Sequence, residues 1–248
     1  EYVQAESDLY VDIDYVPKCD TVIECEVAID DVGRNNTIFC SRDSDQTLYT
    51  LFYINNKSTD NFRFDYHNST SRKADLGKDD PIGTRYYLRT SNAGLKLFGK
   101  LAENVTPKSF TPKGKMILFA SYSTGKPNGA KSNYSRMKIY SFRIFDKDEE
   151  GVYEAVCDLR PAKDEEGGVG LHDAVRDVFY KSAVENQLTA GPGITVSETS
   201  VPLRDDVLLR GHSFAPGGTT KLEPYGCTNL FDGVKYTTST TTPALYAR

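Results

Sequence analysis

The segment Gly168-Val169-Gly170-Leu171-His172-Asp173 sets one of the chain's three histidines beside a carboxylate, between glycines. An imidazole and an acid that reach one substrate can pass a proton, so this pair is the first place to look for catalysis. Adjacent residues of an extended segment point to opposite sides, however, and no serine or cysteine nucleophile accompanies the pair. The expectation is that His172 and Asp173 fill structural niches, with acid–base chemistry as the alternative.

Other residue patterns suggest binding. Asp43-Ser44-Asp45 and Asp146-Lys147-Asp148 each offer two carboxylates two positions apart, and calcium takes several oxygen ligands. Neither lies in a glycine-bearing acidic loop, and both fall where turns are expected. Asp43, Asp45, Asp146 and Asp148 are therefore turn residues that double as candidate calcium ligands. Tyr122 and Tyr134 bracket Ser123–Asn133, which reads as a long loop between two strands. Binding residues concentrate on such loops, and tyrosine offers both a π-face and a hydroxyl. Tyr122, Asn128, Asn133 and Tyr134 are the candidate glycan contacts. The competing reading makes both tyrosines strand-end packing residues.

Glycoside hydrolysis needs two carboxyl groups about 5–5.5 Å apart, or about 6.5–9.5 Å for inversion. The nearest candidate, Glu24-Cys25-Glu26, is only two acids on one strand face and makes no Glu-x-Asp-x-x-Glu run. The absence of tryptophan argues against sialidase-type repeats and also weakens the glycan reading, for which tyrosine has to substitute. Catalysis is disfavoured. The five cysteines, Cys19, Cys25, Cys40, Cys157 and Cys227, follow no C-x-x-C spacing, which argues against zinc and leaves one or two disulfides open. A net charge of −5 over 248 residues argues against a nucleic-acid partner, which calls for a basic stripe. No apolar run approaches the roughly 20 residues of a membrane span. The chain opens at Glu1 and is read as a processed or trimmed segment of something longer.

The elements that must position these residues are strands. Ile23, Cys25, Val27 and Ile29 alternate with Glu24 and Glu26. Likewise Phe62, Phe64 and Tyr66 alternate with Arg63, Asp65 and His67. Period-two alternation marks half-buried strands. Thr47–Ile54 and Met137–Phe145 are apolar on both faces, as in the middle of stacked sheets. Further strands are expected at Leu9–Tyr15, Thr37–Ser41, Arg85–Ser91, Gly94–Gly99, Lys115–Tyr122 and Gly151–Leu159. Ser91-Asn92-Ala93-Gly94 closes a hairpin, its Asn and Gly tolerating positive φ. No long amphipathic helix is expected, so the class is all-β, a sandwich or barrel. Near residue 196 the composition shifts to Ser, Thr, Pro and Gly. The expected organisation is a domain over 1–196, then a linker and C-terminal extension over 197–248.

Three blocks carry a family resemblance. Glu1-Tyr2, Tyr10-Val11-Asp12, Val16-Pro17 and Thr21–Ile29 form the first. The hairpin MKIYSFRIFDKDEEGVYEAVCDLRPA, ending in Asp158–Pro161, forms the second. Gly170–Asp173, Phe179-Tyr180 and Ala190–Pro192 form the third. Together they resemble a family of concanavalin A-like jelly-roll domains (the lectin/glucanase, laminin G-like fold) from large surface proteins of gut bacteria. His172 stands where that family usually has tyrosine. The resemblance implies a jelly-roll sandwich of two antiparallel sheets, and it makes the segment at Gly168 a structural signature. In the tail, Cys227–Gly233 resembles the opening of discoidin-type domains, which implies the truncated start of a second β domain. A fold does not decide function. The expectation is a non-catalytic, extracellular binding module of a larger bacterial surface or secreted protein. Its expected partner is a glycan or a host or surface glycoprotein, with no cofactor beyond a possible calcium. The alternative is a protein-adhesion or spacer module.

Overall fold

The computed structural model describes residues 1–42, 48–54, 60–67, 70–77, 82–97, 100–104, 107–122 and 130–192. Asp43, Asp45, Asn128, the expected boundary near 196 and the 197–248 extension lie outside the described residues. The strands run in chain order as β1 (Val3–Ala5), β2 (Val11–Asp12), β3 (Val22–Ile29), β4 (Asn36–Ser41), β5 (Leu48–Ile54) and β6 (Asp60–His67). There follow β7 (Thr70–Gly77), β8 (Arg85–Ser91), β9 (Gly94–Leu97), β10 (Lys100–Asn104), β11 (Ile117–Leu118) and β12 (Ser121–Tyr122). The last are β13 (Lys131–Ser132), β14 (Met137–Lys147), β15 (Tyr153–Lys163), β16 (Val169–Asp173), β17 (Val178–Tyr180) and β18 (Thr189–Ala190). Among the described residues there is no helix, and hence none long and apolar enough to cross a membrane.

The first sheet has the order β10-β9-β8-β3-β14-β15-β16-β17, with β1 joining β14 and β18 joining β1. The second has the order β2-β11-β4-β5-β6-β7, and β12 and β13 form a small sheet of their own. The chain passes repeatedly between the sheets: β2 lies in the second, β3 in the first, β4 to β7 in the second, β8 to β10 in the first. Every ladder between strands of the two sheets' central rows is antiparallel. The fold is the expected all-β jelly-roll sandwich of two antiparallel sheets.

Aromatic side chains join the layers. Phe39 of the second sheet meets Phe142 of the first edge-on at 5.7 Å, and Phe62 meets Tyr86 at 5.0 Å. Tyr49, wholly buried, donates its hydroxyl to the backbone oxygen of Thr21. Each aromatic pair adds roughly 0.5–1.5 kcal/mol beyond its buried area. Cys19, Cys25, Cys40 and Cys157 are free thiols, and burial pushes the Cys25 and Cys157 thiols well up, so neither is an activated nucleophile.

The structure departs from expectation in four places. Lys115–Tyr122 is two strands: Phe119 adopts φ 66, so β11 ends in the second sheet and the chain turns off into β12. Of Leu9–Tyr15 only Val11–Asp12 forms a strand, and Asp14 at φ 47 ends the regular course. β15 runs on through Pro161 to Lys163. Proline survives there because pairing with β14 ends at Phe142↔Leu159, leaving Pro161 paired with Leu171 of β16. Finally, β14 is not apolar on both faces; it alternates buried residues with the half-exposed Lys138, Tyr140 and Arg143. In the expected β8–β9 hairpin, Ser91 pairs Gly94, and the positive φ falls on Gly94 at 137°.

Candidate functional site

The site is on the outer face of the second sheet. Phe39, Leu51 and Phe64 stand in register across β4, β5 and β6 and are wholly buried. Alternation then turns their neighbours outward. Cys40, Thr50 and Asp65 form one cross-strand row, and Thr37, Phe52 and Arg63 the next. Arg63 and Asp65, two apart on β6, share that face and form a planar two-point ion pair. Arg63 Nε donates to Asp65 Oδ1 at 2.6 Å and Nη2 to Oδ2 at 2.9 Å. Thr50 Oγ1 donates to Cys40 Sγ at 3.3 Å.

The β12–β13 hairpin raises a wall beside this floor. Ser121 pairs Ser132 and Tyr122 pairs Lys131. Asn133 Nδ2 donates to Ser121 Oγ at 3.1 Å, and the Asn133 carbonyl accepts from Thr37 Oγ1 at 3.0 Å. That second bond ties the wall to β4. Ser135 Oγ repeats the tie, donating to the Thr37 carbonyl at 2.5 Å. Both roots of the hairpin are left-handed, Phe119 at φ 66 and Asn133 at φ 47. Asparagine tolerates that conformation, but an aromatic residue there is an outlier costing roughly 1–2 kcal/mol. Backbone strain of this kind clusters at functional sites. At the far rim, a Cβ on Gly114 would stand 2.6 Å from the Arg42 backbone. Glycine there lets the two segments touch, and Ser41 Oγ donates to the Gly114 carbonyl at 2.5 Å.

Floor and walls enclose a pocket of about 210 Å³. Among the described residues its charged lining is Arg42, Arg63 and Asp65, and Phe52, Ser132 and Asn133 give it its more accessible polar and aromatic surface. Burial pushes the Cys40 thiol up, against the Thr50 hydrogen bond, and it pushes the Tyr122 phenol up as well. Both stay neutral at ordinary pH. Lys131 Nζ lies 4.4 Å from the centre of the Tyr122 ring, and burial lowers its ammonium's pKa.

Of the candidate glycan contacts, Tyr122 and Asn133 line this pocket. Tyr122 is 3% exposed, packed on Cys40, Ile117 and Ala120, with its hydroxyl donating to the Lys115 carbonyl at 3.1 Å. Tyr134 packs with Tyr10 on that same cluster and does not line the pocket. Sequence reasoning missed Phe52, Arg63 and Asp65. The signal present was the Arg-x-Asp spacing on the polar face of an alternating strand.

Asp146 is buried and accepts from Thr21 Oγ1 at 2.6 Å and Tyr15 OH at 2.8 Å, with Lys18 Nζ 3.5 Å away. Asp148 caps its own turn, accepting from the Val152 N–H at 2.7 Å. Among the described residues no three His, Cys, Asp or Glu side chains gather as metal ligands. His172 and Asp173 diverge as alternation requires. His172 Nε2 lies 2.9 Å from Asp177 Oδ1. Asp173, fully buried, accepts from the N–H groups of Asp158 and Val175 and pairs with Arg176. Gly170 is needed for close approach, since a Cβ would run into Phe179 at 2.7 Å. The segment is a structural clasp.

No family model and no curated protein matches the chain. Solved structures similar to it include a native heptameric SAP-like pentraxin from Limulus polyphemus, at 11% identity and TM-score 0.43 over 56% of this chain and 71% of that one. Another is the carbohydrate-binding module CBM66 from Bacillus subtilis, at 15% identity and TM-score 0.34 over 55% of this chain and 81% of that one. At these values neither likeness transfers a residue role or a ligand.

Proposed function

We propose that the protein is a non-catalytic binding module that holds a saccharide unit in the pocket on its second sheet. The observation that carries this is the planar Arg63–Asp65 ion pair beside Phe52 and under the Ser132–Asn133 wall. A sugar presents neighbouring hydroxyls that donate and accept at once, and a fixed guanidinium–carboxylate pair answers both needs. Phe52, half-buried, offers an apolar surface for ring C–H groups. At about 210 Å³ the pocket lies below the roughly 300–1,000 Å³ of drug-sized sites, a scale suited to one sugar residue with the rest of the glycan in solvent.

Among the described residues the lining supplies one carboxylate, Asp65, where glycoside cleavage uses two, which supports a binding role over hydrolysis. The candidate calcium ligand Asp146 is already engaged by Lys18, Thr21 and Tyr15, and the reading draws on the Arg63–Asp65 pair instead. It places the protein outside the cell, as a module of a secreted or surface-attached bacterial protein. The test is a glycan array with the folded chain, followed by calorimetry with Phe52→Ala. A saccharide hit that weakens at least about tenfold in the variant is the expected result. A folded chain silent on the array overturns the proposal and puts a protein-adhesion or spacer role first.

A further inference from the structure

Residues 183–191 lie antiparallel along residues 2–10 in nearly constant register. The Gly191 N–H donates to the Tyr2 carbonyl at 2.9 Å, Ala190 pairs with Val3, and Thr189 pairs with Gln4. Farther along, Asn186 Nδ2 donates to the Asp8 carbonyl at 2.9 Å and the Ala183 N–H to the Tyr10 carbonyl at 2.8 Å. The two sides of this ladder are held unequally. β1 also pairs with Met137–Ile139 of β14, and Val3, Ala5 and Leu9 are wholly buried. Of the described residues 183–191, only Leu188 buries its side chain. Segments with few buried apolar contacts open locally, well before the rest of a fold. Antiparallel pairing also sets the two chain exits, Tyr2 and Gly191, side by side. Tension between them therefore loads the ladder one bond at a time from that end.

We infer that 183–191 is a strap that yields to tension: when Tyr2 and Gly191 are drawn apart, it peels from 2–10 while the sandwich stays folded. Peeling releases about 30 Å of chain, at roughly 3.3–3.6 Å per extended residue. β1 stays behind, because β14 and the core hold it from the other side. No residue of the strap lines the pocket, so a pulled module lengthens with its pocket intact, whatever the pocket binds.

The test is single-molecule force spectroscopy on the full chain, with one handle at the N-terminus and the other at position 192. A low-force step of about 30 Å should precede the main unfolding event and reverse on relaxation. Moving the second handle to position 181 takes the strap out of the load path, and the step should vanish. Leu188→Ala should lower the force of the step and leave the main event where it is. Without load, the Ala183 and Gly191 N–H groups should exchange at least roughly tenfold faster than those of β14. A single unfolding event from position 192, a step that persists from position 181, or strap amides as protected as those of β14 each overturns the inference. Should Leu188→Ala fail to fold, the comparison of the two handle positions decides the matter.

Discussion

An aspartate and an arginine two positions apart recur on the outer faces of both sheets, and the two copies serve different ends. On β15, Asp158 pairs with Arg160, whose side chain is 7% exposed and stands opposite His172 in register. On β6, Arg63 pairs with Asp65, and its side chain is 33% exposed at the mouth of a pocket. The first pair sits in a face already dense with cross-strand charge. There Glu24 lies in register between Arg143 and Arg89 and is paired with both. Such pairs stitch neighbouring strands. Each of the two Asp–Arg pairs joins residues of one strand; what differs is the setting, since Arg160 is covered beside that charged row whereas the Arg63 fork is a third exposed at the pocket. Identical chemistry is structural where the sheet face is closed and available for recognition where a hairpin turns that face into a cavity.

Removing the carboxylate from each pair breaks the comparison most sharply. Asp158→Ala leaves the Arg160 guanidinium buried, with Nε and Nη1 already lacking partners. Loss of one member of a buried pair costs about 3–5 kcal/mol. Urea unfolding should show that loss, and saccharide binding to the remaining folded protein should be unchanged. Asp65→Ala should behave in the reverse sense. Arg63 can reach solvent, so stability falls by only about 1 kcal/mol, while binding weakens by about 2–3 kcal/mol in calorimetry. If the two variants show the same balance of effects, the distinction between the faces fails.

Acid sharpens the contrast in a second way. Burial works against ionisation of Asp173, but the Asp158 N–H, Arg176 and the Val175 N–H outweigh it and hold the carboxyl below the usual range. A depressed carboxyl contributes stability that is full above its unfolded pKa of about 3.9 and is lost as pH falls through the folded value. The clasp on the first sheet should therefore loosen below about pH 4, and Asp173→Asn should flatten that part of the stability–pH curve. The smallest effect is expected at the hairpin root. Asn133→Gly keeps the left-handed backbone and loses the Nδ2 bond to Ser121, whereas Asn133→Ala must also bear about 1 kcal/mol of strain. Binding should fall further in the alanine variant than in the glycine one.

The elements of the sandwich were readable residue by residue. Alternation over Thr21–Ile29 and Asn61–His67 locates β3 and β6 closely, because a period of two is a local property of a strand with one buried face. The same rule puts His172 and Asp173 on opposite sides of their strand. Loop position and residue type also point to two of the pocket's residues, Tyr122 and Asn133. The same grounds point to their neighbour Tyr134, which instead packs on the Cys40–Ile117 cluster.

Tertiary structure decided what alternation has no way to encode. It broke Lys115–Tyr122 at Phe119, where bonds from the Phe119 N–H to the Ile38 carbonyl and from the Ser135 N–H to the Phe119 carbonyl hold a backbone that local preference disfavours. It also placed Cys40, Thr50 and Asp65 in one row and set Ser121 and Ser132 beside them. Alternation tells which residues of a strand share a face. Which strands lie side by side, and in what register, is settled by hydrogen bonds and core contacts between segments far apart in the chain. The strands are therefore written in the local sequence, whereas the pocket exists only once β4, β5, β6 and the β12–β13 hairpin have met.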